Sequence, residues 1–102
     1  MIALMVNGEP LTEARIEERM AFHGLPEYMA SGMYLYLLHR VRPGSFMEAV
    51  LCNDLREAVA CADDENGSRL KEWVRFMYCE LPCNSWGSQE IVRQWLAERR
   101  VE

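Results

Sequence analysis

The sequence predicts an all-α protein, a compact bundle of four to five helices with a short extended N-terminal arm. Three observations lead to this prediction. Apolar residues recur at every third or fourth position over long stretches, which is the spacing of one helix face. Glycine and proline are few and stand where these stretches end, while Ser, Thr or Asp stands where they begin. We therefore expect a single helical domain over residues 1–102, with the arm over 1–10 and the helical core over 11–99.

The arm is predicted from residues 2–6, an apolar run that is followed by the turn signal Asn7-Gly8. Pro10 has no backbone N–H and cannot continue a strand ladder. Since no other segment reads as a strand, two interpretations stay open. The run packs as an extended arm, or it pairs with the same run of a second copy and forms a homodimer.

The first helix is predicted over residues 11–22, with Thr12 as its cap and His23-Gly24 as its end. Gly24 suits the left-handed conformation that often follows a helix. A histidine at a helix C-terminus is favoured by the helix dipole. We therefore interpret His23 as a terminal residue and not as a catalytic base.

The second helix is predicted from Pro26 to about Arg40 and is rich in Tyr and Met. Its apolar residues cover most of its circumference, so it is buried on most sides or turns one side to a partner. The core is the favoured interpretation, and a homodimer through this Tyr/Met helix is the alternative. Gly32 in its middle would permit the close approach of another helix.

Residues 44–66 form the best-specified helical stretch. Ser45 and Glu48 have the spacing of a capping box, in which each side chain bonds a backbone N–H at the helix start. Asn53-Asp54 lies mid-stretch and favours a break or kink, because Asn and Asp prefer caps to helix interiors; one helix of about five turns is the alternative. The apolar residues expected to face inward are Phe46, Val50, Leu51, Leu55, Ala58 and Val59.

Two further helices are expected to close the core. The first of these helices begins after a cap at Asp63 or Asp64 and ends at Pro82. The last helix covers residues 89–99 and is capped by Ser88. Trp86 is expected to plug the end of the bundle, an exposed binding Trp being the alternative. The residues expected to face inward are Leu70, Trp73, Val74, Met77, Tyr78 and Leu81, then Ile91, Val92, Trp95 and Leu96.

The charge is uneven. The formal net charge is −5, and residues 46–66 hold six acids against one base, Arg56. Acidic surfaces disfavour nucleic acid and suit a partner with a basic surface, while a merely solvated face is the alternative. The predicted partner-binding residues are Asp54, Glu57, Asp63, Asp64 and Glu65.

No catalytic set, metal site or cofactor motif is recognisable, so we expect a protein that is not an enzyme. Cys79 and Cys83 are a poor match to a zinc knuckle with His23 or His39, and the four cysteines are expected to be reduced. The adjacent acids do not alternate as in a calcium loop. No apolar run is long enough to span a bilayer, and no signal peptide is expected.

Several short motifs between residues 25 and 96 form a recognisable pattern. They are Pro43-Gly44-Ser45-Phe46, Ala49-Val50-Leu51, Asn53-Asp54-Leu55, Ala62-Asp63, Asn66 and Trp86-Gly87-Ser88. By these motifs, residues 25–96 resemble a group of small, mostly uncharacterised helical proteins encoded by bacteriophages and prophages. The resemblance implies a phage product that acts in the bacterial cytoplasm. Small acidic phage proteins often bind and block a host complex, and inhibitors of CRISPR surveillance complexes are one such class.

Overall fold

The computed structural model describes residues 5–6 and 9–98. Helices dominate this part of the chain, so the predicted all-α class is confirmed. A single 3₁₀ turn, Glu27–Met29, precedes the second helix. The α-helices are α1 (Glu13–Phe22), α2 (Ala30–His39), α3 (Ser45–Leu51), α4 (Leu55–Cys61), α5 (Asp64–Gly67), α6 (Leu70–Glu80) and α7 (Gln89–Ala97). None of these helices has the length and apolar content needed to cross a membrane.

The N-terminal segment contains two short paired strands. Strand β1 (Met5–Val6) pairs antiparallel with β2 (Glu9–Pro10), and Met5 lies opposite Pro10. The expectation that the chain offers the arm no strand partner is therefore wrong, because Glu9–Pro10 is that partner. Residues 2–4 of the predicted arm lie outside the described residues.

The described chain contains more helices than the four to five predicted, and the additional ones come from breaks in the central stretch. Asn53 has a left-handed backbone with φ of 62°, and Asp54 then caps α4. The predicted break at Asn53-Asp54 is confirmed. Ala62 is extended, and Asp63 caps the four-residue α5. Each break coincides with a residue whose side chain accepts a backbone N–H of the following turn.

The Tyr/Met helix α2 lies in the core, as favoured from its sequence. Tyr36 donates a hydrogen bond of 2.6 Å to the carbonyl of Ser85, and the indole N–H of Trp95 donates to the carbonyl of Tyr36 at 3.1 Å. A Cβ at Gly32 would lie 3.7 Å from the Met47 side chain, an ordinary van der Waals distance, so the approach of α3 does not require glycine at this position. The buried residues of α2 are Ala30, Met33, Tyr36, Leu37 and Leu38.

The loop between α6 and α7 is held against the end of α3. The N–H of Gly87 donates to the carbonyl of Leu51 at 2.7 Å, and Ser88 caps α7 by accepting from the Ile91 N–H. Trp86 is partly buried and packs on the core, which agrees with the predicted plug. These bonds position the N-terminus of α7 beside the turn between α3 and α4.

Helices α1 and α6 are joined by a buried ionic cluster. Arg19 donates two hydrogen bonds to Oε2 of Glu80, at 3.0 and 2.7 Å, and Nε2 of His23 lies 2.9 Å from the same oxygen. Burial alone would raise the pKa of Glu80, but the hydrogen bonds from Arg19 and His23 outweigh it and hold that pKa below its usual value. His23 thus ends α1 and links it to α6.

Four large apolar side chains do not face inward as predicted. Leu55 and Val59 on α4, and Val74 and Tyr78 on α6, are all exposed. On α6 the buried face consists of Trp73, Phe76, Met77 and Glu80, so the inward direction is rotated from the predicted stripe. On α4 only Ala58 is buried.

The predicted capping box of α3 is also wrong. The cap is Gly44, which has no side chain to accept a backbone N–H, and Ser45 is the first helical residue. Because the helix begins at Ser45, neither Ser45 nor Glu48 is at its capping-box position. The Glu48 carboxylate accepts from Arg42 instead, at 2.9 Å to each oxygen.

Candidate functional site

An acidic cavity of about 540 Å³ opens between the α3–α4 turn and the N-terminus of α7. It brings together two of the five predicted partner-binding residues, Asp54 and Glu57, and adds a third carboxylate, that of Glu48. The remaining lining residues are Ser45, Ala49, Cys52, Asn53 and Gln89. The cavity therefore has the volume of a small-molecule or side-chain pocket and a negative lining.

The turn geometry explains why these carboxylates meet. The left-handed Asn53 reverses the chain, and Asp54 accepts a hydrogen bond of 3.2 Å from the Glu57 N–H. Both acids therefore lie at the start of α4, where the helix dipole favours negative charge. Glu48 reaches the same space from α3, one turn before the break.

The two half-buried thiols near this region are poorly suited to nucleophilic chemistry. Burial raises the pKa of Cys52, and the charges of Glu48 and Asp54 act in the same direction. A hydrogen bond of 3.3 Å to the Glu57 carboxylate raises the pKa of Cys61. Both thiols therefore stay protonated at neutral pH, whereas a reactive cysteine needs the thiolate. Cys79 and Cys83 are exposed.

Asp63 has a structural role beyond the predicted one. It caps α5 by accepting from the Asn66 N–H at 2.8 Å, and it accepts from the Tyr28 hydroxyl at 2.6 Å. The Tyr28 bond, followed by the Asn66 bond, lowers the pKa of Asp63, and the same contact raises the pKa of Tyr28 to about 12. The side chain of Asn66 accepts from the Trp73 indole N–H at 2.9 Å, so Asp63 is linked to the core.

Asp64 and Glu65 occupy the first turn of α5 and are exposed. Neither lines the acidic cavity nor a second cavity of about 440 Å³ that Tyr28, Asp63 and Asn66 share with α2 and α3 residues. The structure thus divides the predicted residues into three groups: Asp54 and Glu57 at the acidic cavity, Asp63 in the Tyr28 network, and Asp64 with Glu65 in solvent. We call the five residues Asp54, Glu57, Asp63, Asp64 and Glu65 the acidic surface.

The acidic surface contains no internal ion pair among the described residues, although the exposed base Arg56 lies between Asp54 and Glu57 in the sequence. Within the described part of the chain, no Lys, Arg or His side chain forms an ion pair with any of its five carboxylates. Some acids elsewhere are paired, Glu48 with Arg42 and Glu80 with Arg19. In residues 5–6 and 9–98, no three His, Cys, Asp or Glu side chains are grouped so as to hold a metal ion.

Sequence reasoning missed three residues at or beside this surface. Glu48 was assigned to a capping box, and Leu55 and Val59 were assigned to the core. The Arg42 side chain six residues before Glu48 is the signal that could have indicated a different partner. No local signal distinguishes an outward Leu55 from an inward one, because both belong to the same apolar period.

Comparison with known proteins adds no assignment: no protein-family model, curated protein or solved structure matches this chain.

Proposed function

We propose that this protein is a non-enzymatic inhibitor, encoded by a phage and active in the bacterial host cytoplasm, that binds a host protein or ribonucleoprotein complex. Its acidic surface docks on a basic surface that otherwise holds nucleic acid, as an anti-CRISPR or other anti-defence protein would. The phage context rests on the sequence resemblance alone. No nucleic acid, membrane or cofactor takes part in the proposed binding.

One observation carries the proposal: the five carboxylates of the acidic surface are exposed and form no ion pair with a Lys, Arg or His side chain among the described residues. Exposed charge of one sign attracts a surface of the opposite sign and accelerates the encounter. Bringing these carboxylates to a basic partner breaks no internal ion pair. The acidic cavity adds a recess in which a lysine or arginine of the partner can be held by Asp54 and Glu57, whereas the Glu48 carboxylate is already bonded to Arg42.

Self-association through the two routes that the sequence suggests has less support. The described part of the arm, Met5–Val6, pairs with Glu9–Pro10 of the same chain. The Tyr/Met helix α2 directs Met33, Tyr36 and Leu37 into the core. These contacts occupy one edge of Met5–Val6 and the buried side chains of α2.

The proposal is tested by affinity capture from a bacterial host lysate at moderate salt, read by mass spectrometry. The informative variant is Asp64→Lys with Glu65→Lys, because these exposed residues bond no side chain, whereas Asp63 caps α5 and its replacement would disturb the fold. We expect the wild type to retain one stoichiometric host complex and this variant to lose it. Salt above the physiological range is expected to weaken capture, because exposed charges are screened.

The control reverses two charges elsewhere, with Lys71→Glu and Arg75→Glu on the exposed face of α6. This variant is expected to capture the same complex as the wild type. Capture that is unchanged in the Asp64→Lys, Glu65→Lys variant, or lost equally in both variants, would contradict the proposed use of the acidic surface.

A further inference from the structure

Helix α4 buries a small apolar side chain and exposes two large ones. Its buried residue is Ala58, with 2% of its surface exposed, whereas Leu55 is 69% and Val59 57% exposed. A helix in a globular domain normally buries its largest apolar side chains. Here only an alanine, Ala58, is buried, and the two largest apolar side chains face solvent.

Leu55 and Val59 lie on one face of α4, because residues four positions apart on a helix are neighbours. Asp54 precedes them, and Asp63, Asp64 and Glu65 follow the end of the helix. Exposed apolar side chains with a polar rim are typical of protein–protein interaction sites. Residues of the acidic surface therefore both precede and follow Leu55 and Val59 along the chain.

Helix α6 exposes a comparable pair, Val74 at 50% and Tyr78 at 80%, also four residues apart. Its charged neighbours differ in sign, since the exposed Lys71 and Arg75 lie on the same outer face by helical spacing. The two faces thus present similar apolar groups in different electrostatic settings: acids outnumber the base Arg56 around α4, whereas the two exposed bases Lys71 and Arg75 adjoin the α6 pair. This contrast provides a matched control for any binding assigned to α4.

We infer that Leu55 and Val59 are the apolar anchors of the interface, and that the partner presents a basic amphipathic helix to them. This inference rests on the proposed function and specifies its partner chemistry. Two residues at i and i+4 form a ridge, and such a ridge packs into the groove of a second helix. Lys or Arg beside the apolar stripe of that helix would face the carboxylates of the acidic surface.

The test uses a defined probe, a fluorescein-labelled peptide of about 18 residues, or five helical turns, with Leu on one face and Lys on the other. A control peptide carries Glu at every Lys position. Binding is measured by fluorescence anisotropy at physiological salt. Three double variants are compared with the wild type: Leu55→Ala with Val59→Ala, Val74→Ala with Tyr78→Ala, and Asp64→Lys with Glu65→Lys.

We expect the Lys peptide to bind the wild type and the Glu peptide to bind much more weakly. Replacing Leu55 and Val59 is expected to weaken binding of the Lys peptide at least about tenfold, whereas replacing Val74 and Tyr78 changes it less than about twofold. The charge variant is expected to weaken binding as well. Circular dichroism is expected to show that all variants stay folded, because the replaced side chains are exposed.

Several results would overturn the inference: no binding of the Lys peptide, equal binding of both peptides, or equal losses in the α4 and α6 variants. Loss in the charge variant without loss in the Leu55, Val59 variant would refute the anchor role and leave the proposed acidic docking intact. A wild-type dimer that the Leu55, Val59 variant converts to a monomer in sedimentation would show that the occupant is a second copy, which also refutes the inference.

Discussion

Replacing Trp73 with alanine is expected to lower the free energy of unfolding by about 4 kcal/mol, as for other large aromatic residues in cores. The side chain is fully buried, and its ring lies edge-on to Phe46 at 5.6 Å and to Phe76 at 6.4 Å between centroids. Alanine would leave a cavity among these rings. It would also remove the indole N–H that donates a hydrogen bond to the side-chain oxygen of Asn66. Urea denaturation followed by far-ultraviolet circular dichroism measures the loss.

The companion variant Trp73→Phe separates packing from hydrogen bonding. Phenylalanine retains much of the ring contact but leaves the buried side-chain oxygen of Asn66 without its indole donor, at a cost of about 2 kcal/mol. A loss below about 1 kcal/mol for Trp73→Ala would match an ordinary surface position and would contradict the central packing of this residue. Because Asn66 also bonds Asp63, both variants are expected to loosen α5.

The variant Glu80→Gln is expected to lower the free energy of unfolding by about 2 kcal/mol near neutral pH, because it removes hydrogen bonds between charged groups, while the partly exposed Arg19 stays in contact with solvent. The Glu80 side chain is 3% exposed and accepts from both Arg19 and His23. Glutamine keeps the shape of the side chain but not its charge. The matched control is Glu18→Gln, because Glu18 forms an exposed ion pair with Arg15, and its loss costs less than about 1 kcal/mol.

The same cluster predicts a pH dependence of stability. The pKa of Glu80 is lower in the folded chain than its ordinary value of 4.5, so the unfolded chain binds the proton more readily. The contribution of Glu80 is therefore fully present above pH 4.5 and is lost as the pH falls through the lowered folded pKa. We expect the free energy of unfolding, measured by denaturation at a series of pH values, to fall more between neutral and acid pH for the wild type than for Glu80→Gln. Identical pH profiles for the two proteins would contradict this account.

Much of the helical architecture follows from the sequence because its signals are local. Thr12, Asp63 and Ser88 each cap a helix by accepting a backbone N–H, as their positions before apolar periods predict. The break before α4 follows equally from Asn53-Asp54. These features depend on residues within one turn of each other, so no knowledge of the tertiary fold is needed.

The features that were mispredicted depend on distant neighbours. Glu80 pairs with Arg19 across 61 positions, and nothing near Glu80 in the sequence distinguishes it from a solvent-facing acid. Periodicity placed Leu55 on an apolar stripe, but the break at Asn53 turns α4 so that Ala58 packs inward. The acidic surface was predicted by composition, whereas the bond between Asp63 and Tyr28, 35 positions apart, required the fold.

The central claim is that the surface formed by α4 and the acidic residues is the docking site, and site-specific photo-crosslinking tests it most directly. A photoreactive residue replaces Ala60, which is exposed on α4, or Tyr78 on α6 as the control. Each protein is irradiated in bacterial host lysate and its adducts are identified by mass spectrometry. The account predicts one dominant protein adduct from position 60, absent from position 78 and lost when Asp64→Lys and Glu65→Lys are added. Adducts from position 78 alone, or the same adducts from both positions, would contradict it.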